Sequence, residues 1–334
     1  MRLLRAIGFL ICWSATAAAA GEKTAPLVTA APPGTPWVHY LEAIQASVNG
    51  PGAARVTLDI YPSSILGGEL HAIQQMRRGR IAMGLFTTTS LAAVAPSLKV
   101  LDLPFIWRDQ SQATYVLDHA GQRIFSPPLE RAGIVLIAFN PSGVHHMAAR
   151  RSLTVPKMAK GLRPRALQAD ISLAFWRFLS ANPVALAYPD VTPSLQTGLI
   201  DGLSIELQSI YYGEYYKFAP HITLTGHALE VGALVASKSW FDELTPAQQE
   251  NLLKTARDHL ASSRAETRAL EQELIEKLRA SEAHVHDLSP AERLAWESRL
   301  AGFRADMVKS LGREAQTAIA RLQEAKANIA RWQP

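Results

Sequence analysis

Cysteine is almost missing from this chain. Its one thiol, Cys12, cannot form an intramolecular disulfide or fill a cysteine-based zinc site, and no second thiol is available for catalysis. Charge is sparse as well, at 19% of 334 residues. The 34 basic residues outnumber the 29 acidic ones by five, and by three once Arg2 and Arg5 are set aside. So small and dispersed an excess excludes a nucleic-acid footprint. No internal repeat or low-complexity linker is present, and 48% of the residues are hydrophobic, which argues against disorder and coiled coil. The length suits two lobes with a sizeable core.

The N-terminus has a pattern of its own. Arg2 and Arg5 make a basic start, Leu3 to Ala20 is apolar and small, and Ala18-Ala19-Ala20 ends before Gly21. These features predict a secretory signal peptide over residues 1–20, cleaved after Ala20. Arg5 interrupts the apolar stretch and leaves it short for a membrane span. Phe9-Leu10-Ile11 lacks the small residues that precede a lipidated cysteine. The expected product is a cysteine-free periplasmic protein.

Beyond it, strand and helix patterns alternate. Leu27–Ala30 reads as a strand, and Pro36 opens a helix with Trp37, Leu41, Ile44 and Val48 at helical spacing. Strands are predicted at 55–61, 81–86, 98–103, 133–139, 165–167, 203–205 and 231–237, with helices from Leu66 to Arg78, 171–179 and 192–197 between them. This order indicates an α/β fold with mostly parallel pairing. Thr245-Pro246-Ala247-Gln248 and Ser289-Pro290-Ala291-Glu292 are capping boxes. The first starts a helix that nothing breaks before Ala283, about 50 Å long at 1.5 Å per residue, too long for one lobe. Two further helices close the chain.

Several short motifs then fall in register. Tyr61-Pro62-Ser63-Ser64-Ile65-Leu66-Gly67-Gly68-Glu69 precedes a helix and Gly79, and Leu101-Asp102-Leu103-Pro104-Phe105 follows. Next come Lys160-Gly161-Leu162-Arg163-Pro164-Arg165, Ala181-Asn182-Pro183, Leu195-Gln196-Thr197-Gly198-Leu199-Ile200-Asp201-Gly202 and Leu224-Thr225-Gly226-His227. In this order and spacing the chain, from Leu27 onward, resembles the dicarboxylate-type solute receptors of TRAP (tripartite ATP-independent periplasmic) transporters. The resemblance implies a two-lobe periplasmic-binding-protein fold with hinge strands. Lobe I would comprise 25–142 plus 231–265, lobe II 143–230 plus 271–330, with a long helix over 246–283 bridging both. It also implies a small organic anion bound between closing lobes and delivered to TRAP membrane subunits by a monomeric or dimeric receptor. An enzymatic activity is not implied.

The same resemblance assigns the site. In the family a Gly-Leu-Lys-Ile-Arg-type strand carries the arginine that clamps the solute's carboxylate. Gly161-Leu162-Arg163-Pro164-Arg165 matches it at Arg165. A planar guanidinium makes two parallel bonds to a carboxylate and stays charged when buried, which suits the task. Gln168 and Tyr188 match positions whose amide and ring contact the ligand; a surface glutamine and a core tyrosine are the competing readings. Three places depart from the family pattern. His145 stands where many relatives have a second arginine, although it also fits an ordinary loop histidine. Ile205 takes the place of a ligand-binding asparagine, and Thr87 and Thr88 stand where a charged or polar position is common. A less cationic, more apolar cleft would suit a monocarboxylate with an apolar body.

In the run Tyr211–Phe218, Tyr211 and Tyr215 are expected in the core. A metal site is not expected: His145 and His146 diverge as neighbours, and His284 and His286 have no third ligand at suitable spacing. No cofactor is expected either, since the glycine-rich stretches lack phosphate-binding spacings. A secreted hydrolase is the weaker alternative, for there is no Gly-x-Ser-x-Gly elbow and Asp118-His119 are mere sequence neighbours. A sensory receptor presenting an organic anion to a signalling partner would use the same fold and is not separable by sequence.

Overall fold

The computed structural model describes residues 24–52 and 55–329. The expected signal peptide lies outside them. Among the described residues nine strands form one sheet: β1 (Ala25–Thr29), β2 (Leu58–Tyr61), β3 (Met83–Thr87), β4 (Ile134–Ala149), β5 (Pro164–Ala166), β6 (Val184–Ala185), β7 (Gly202–Glu206), β8 (His221–Ser237) and β9 (His284–His286). Their order is β2-β1-β3-β8-β4-β7-β5-β6, with β9 on β8. Pairing is parallel at both flanks and antiparallel where β3, β8, β4 and β7 meet.

Two strands shape the molecule. β4 and β8 run side by side from Ile134↔Ser237 to Ala149↔His221 and exchange neighbours halfway. The end of β8 from Gly232 to Ala236 pairs with β3, whereas β4 from His145 to Ala149 pairs with β7. One half of each strand therefore belongs to each lobe. The sequence suggested only the apolar halves, 133–139 and 231–237, and not that β4 runs on through Pro141 and Gly143. The chain instead absorbs them as a bulge: the register shifts between Pro141 and Gly143, and Gly143 takes φ +137°, open to glycine.

The lobes have separate cores on one face of the sheet. Leu27, Leu41, Ile44, Met83, Leu85 and Leu234 fill the first, and Leu195, Ile200, Leu203, Ile222, Leu274 and Leu278 the second. A third core on the opposite face runs along both lobes and takes in Phe86, Trp176, Trp296 and Leu322. The stretch expected as a strand at 98–103 is a 3-10 helix, Pro96–Asp102. Proline opens it, and Leu98 and Leu101 are both buried at three-residue spacing, so a short apolar run was read with the wrong period.

The long C-terminal helix is divided at His259 into Pro246–Asp258 and Leu260–Arg279, and ends four residues before Ala283. The chain still runs on through the division, since His259 donates to the Thr255 carbonyl (3.3 Å) and accepts from the Ser263 amide (3.2 Å). Both capping boxes are formed. The Pro290–Ser310 helix packs on lobe II against the Asp170–Phe178 helix and β8. The Arg313–Ile329 helix, expected in lobe II, packs instead on lobe I against Pro96–Asp102 and Gln110–Val116. Its buried Ala315, Ala318 and Leu322 supply the apolar stripe that seats it there. Among the described residues no helix is long and apolar enough to cross a membrane.

Candidate functional site

Between the lobes lies a cleft of about 750 Å³. Trp37, Glu69, Thr87 and Thr89 come to its wall from lobe I, Arg165, Gln168, Tyr188 and Glu206 from lobe II, and Ser142, His145 and Glu230 from the hinge strands.

β5 places Arg165 between β6 and β7, with Val184 and Leu203 beside it in register. The side chain is 5% exposed, and its Nε donates to the Leu186 carbonyl at 3.2 Å. Among the described residues its terminal nitrogens make no ion pair or hydrogen bond. Burial pulls the guanidinium below its ordinary pKa, against the opposing pull of Tyr215, Glu206 and Glu230.

His145 sits where β4 passes between β8 and β7. Its Nε2 is 2.9 Å from Glu230 Oε2 and 3.7 Å from Glu206 Oε2. Burial would lower its pKa, but the Glu230 hydrogen bond and the charges of Glu230 and Glu206 outweigh that and raise it. On its other side His145 Nδ1 shares a 3.3 Å hydrogen bond with Ser204 Oγ, which also meets His227 Nε2 at 2.9 Å. His227 continues to Thr225 Oγ1 at 2.7 Å and stacks on Phe175. Burial holds the His227 pKa well below its ordinary value, so the ring stays neutral. Behind Arg165 these groups enclose a second chamber of about 70 Å³.

Of the seven expected residues, six line the cleft: Arg165, His145, Gln168, Tyr188, Ile205 and Thr87. Tyr188 donates its hydroxyl to Ser209 Oγ at 3.2 Å. Ile205 is 4% exposed and belongs to the lobe II core, so it shows the cleft only an edge. Thr87 is committed to structure: it donates to Glu69 Oε2 (2.6 Å) and accepts from the Ser90 amide (3.2 Å), capping the Thr88–Leu91 helix. Thr88 does not reach the cleft. Its hydroxyl turns inward to Asp102 Oδ1 at 3.3 Å, and Thr89 faces the cleft in its place. The cause is the change from strand to helix after Thr87, which replaces alternation with a helical period. Tyr215 is buried as expected, Tyr211 is half-buried, and Tyr212 is exposed at the cleft mouth.

The expectation of a less cationic, more apolar cleft did not include its carboxylates. Glu69, Glu206 and Glu230 all line it, and burial raises the pKa of Glu69 and Glu206. Glu206 directly follows Ile205 in the sequence, and Glu230 stands next to an apolar strand run, a place where a charge needs a reason. His145, Glu206 and Glu230 also offer ligand atoms within 4.8 Å of one another, a spacing that could hold a cation. His284 and His286 do have a third histidine nearby, for β9 lies along β8 and brings His221 Nδ1 to 3.0 Å from His286 Nε2.

A two-lobed α/β molecule with hinge strands and a solute-sized interlobe cleft is a binding protein of the periplasmic type. The chain belongs to bacterial extracellular solute-binding protein family 7, whose model matches residues 27–310, the dicarboxylate-type receptors of TRAP transporters. That is a family of solute receptors, not of enzymes. The chain is 26% identical over 251 residues to the 2,3-diketo-L-gulonate-binding periplasmic protein YiaO of Escherichia coli K12, covering 75% of this chain and 76% of YiaO. It is 25% identical over 293 residues to the C4-dicarboxylate-binding periplasmic protein DctP of Rhodobacter capsulatus, 86% of each chain. The fold matches that of a TRAP periplasmic solute-binding protein from Desulfovibrio salexigens with bound orotic acid. There the TM-score is 0.87 at 20% identity, over 92% of this chain and 99% of that one.

Proposed function

We propose that this protein captures a monocarboxylate with an apolar body between its lobes and delivers it to the membrane subunits of a TRAP transporter. One observation carries the reading. Arg165 is 95% removed from solvent, opens on a 750 Å³ cleft, and keeps its two terminal nitrogens free of protein partners among the described residues. A buried guanidinium left unpaired is costly unless a ligand anion completes it. Gln168 and Tyr188 flank that anion, and Trp37, Leu167, Leu186 and Pro189 offer the apolar walls for its body. The relatives support an acid as the ligand class, since their names give a sugar acid, a C4-dicarboxylate and orotic acid. Closure of the lobes over the acid would place the affinity in the closed state. The N-terminal pattern supports export to the periplasm with a mature chain starting at Gly21.

The test is calorimetry of Arg165→Ala with the acid recovered from the native protein. Loss of a buried ion-pair partner costs roughly 3–5 kcal/mol, so binding should fall on the order of a hundredfold or more. Unchanged affinity would overturn the assignment.

A further inference from the structure

We infer that the acid taken by Arg165 is a zwitterion whose cationic nitrogen is received by Glu206 and Glu230. The inference rests on Arg165 as the carboxylate clamp and adds the other half of the ligand.

The cleft is short of positive charge for a plain anion receptor. Arg165 and His145 face Glu206 and Glu230, Glu69 adds a third carboxylate to the wall, and Lys99 is already paired with Asp170. A bare carboxylate would occupy Arg165 and leave two largely buried carboxylates sharing one histidine. Buried charge without a partner is expensive. A zwitterion adds no net charge and provides both missing partners.

Hydrogen-bond capacity agrees. Glu206 Oε1 accepts from Ser209 Oγ at 2.6 Å, but Oε2 lies 3.7 Å from His145 Nε2, beyond hydrogen-bond length. Gln208 donates its amide nitrogen to the Ser142 carbonyl at 3.2 Å, while its Oε1 is enclosed and unpartnered. Glu206 Oε2 is thus an open acceptor, and the open positions on Arg165 are donors. A ligand matching them has an acid at one end and N–H donors at the other. The 92% burial of Glu230 fixes the carboxylate pair in the wall, where a mobile surface charge would have no such effect.

Paired probes test this, each an acid and its nitrogen-bearing counterpart of similar shape: cyclohexanecarboxylate and pipecolate, cyclopentanecarboxylate and proline, 3-phenylpropanoate and phenylalanine. Binding to the full mature chain is measured by calorimetry in chelator-treated, sodium-free buffer. The expected result is that within the pairs that bind, the zwitterion binds roughly thirtyfold tighter or more, the effect of a desolvated charge pair. Glu206→Gln and Glu230→Gln should each shrink that preference, and Arg165→Ala should abolish binding of both members. Equal or better binding of the nitrogen-free acid, still dependent on Arg165, overturns the zwitterion and leaves the acid receptor standing. Binding indifferent to Arg165→Ala instead overturns the acid reading itself. If the nitrogen-free acid binds tightly once calcium, magnesium or sodium is restored, the cation is a metal and the inference is wrong.

Discussion

Arg264 grips Asp118 with both arms of its fork, Nη1 to Oδ2 at 2.7 Å and Nη2 to Oδ1 at 2.8 Å, while Nη2 also donates to the Phe139 carbonyl at 2.7 Å. Arg264 belongs to the Leu260–Arg279 helix and Asp118 to lobe I. Seven residues on, Glu271 accepts from the Val144 amide at 3.3 Å, on the far side of the hinge bulge, and from Gln110 Nε2 at 2.6 Å. The helix is therefore tied to lobe I at both Arg264 and Glu271, and at Glu271 it also reaches the lobe II half of β4.

The two partners of this fork should not be equal in cost. Arg264 is buried and holds a carbonyl as well, whereas the Asp118 side chain is 41% exposed. Arg264→Met is expected to lower unfolding free energy by about 2–4 kcal/mol, and Asp118→Asn by about 1 kcal/mol. Urea denaturation of the ligand-free protein reads both. Equal losses would mean that the Phe139 carbonyl bond contributes nothing.

Arg165→Lys separates charge from shape. Lysine keeps the positive charge but cannot form two parallel bonds to one carboxylate, nor hold the Leu186 carbonyl while doing so. Affinity for the native acid should fall by about 1–3 kcal/mol, between wild type and Arg165→Ala. Calorimetry on the three proteins sets the order, and a lysine variant that binds as tightly as wild type would remove the case for a bidentate clamp.

Gly232 is a close-packing glycine rather than a turn. A Cβ there would meet Trp37 Cζ2 at 2.2 Å and the Asn140 carbonyl at 2.8 Å, and Trp37 Nε1 already donates to that carbonyl at 3.1 Å. Gly232→Ala should destabilise by about 1–3 kcal/mol through overpacking. Adding Trp37→Leu should recover part of this, so the double variant costs less than the two single changes together. Additive losses in thermal or urea unfolding would show that the tryptophan is not what the methyl group strikes.

What the sequence disclosed and what it hid follow from range. The capping boxes at Thr245 and Ser289 were legible because each closes within four residues. Arg165 was legible through a short motif that a three-residue strand holds in place. The chain of Glu230, His145, Ser204, His227 and Thr225 was not, since it joins β4, β7 and β8 through a register that bulges reset at Pro141 and His145. A shift of one residue moves every side chain to the other face. Thr88 failed on a smaller scale, because a helix starts at that residue and ends the strand alternation.

Asp102 should make stability fall as pH rises, the reverse of ordinary acid unfolding. Its Oδ2 is enclosed without a partner, and burial, with the nearby charge of Glu230, raises its pKa to about 8 from the usual 3.8. Between those values the folded chain keeps a proton that the unfolded chain has released, so folding loses up to about 1.4 kcal/mol of stability for each pH unit. The loss begins above the unfolded pKa and levels off once pH passes the folded one. Asp102→Asn removes the titration and keeps an oxygen for the Thr88 hydroxyl, which donates to Oδ1 at 3.3 Å. The variant should gain on wild type from pH 4 toward pH 8 and hold a constant advantage above it, by a few kcal/mol in all. Paired urea melts at pH 5, 6.5, 8 and 9 give the curve. A gap between the two proteins that stays flat from pH 5 to 8 would mean the buried carboxyl is ionised in the fold, and an unseen partner would then have to hold it.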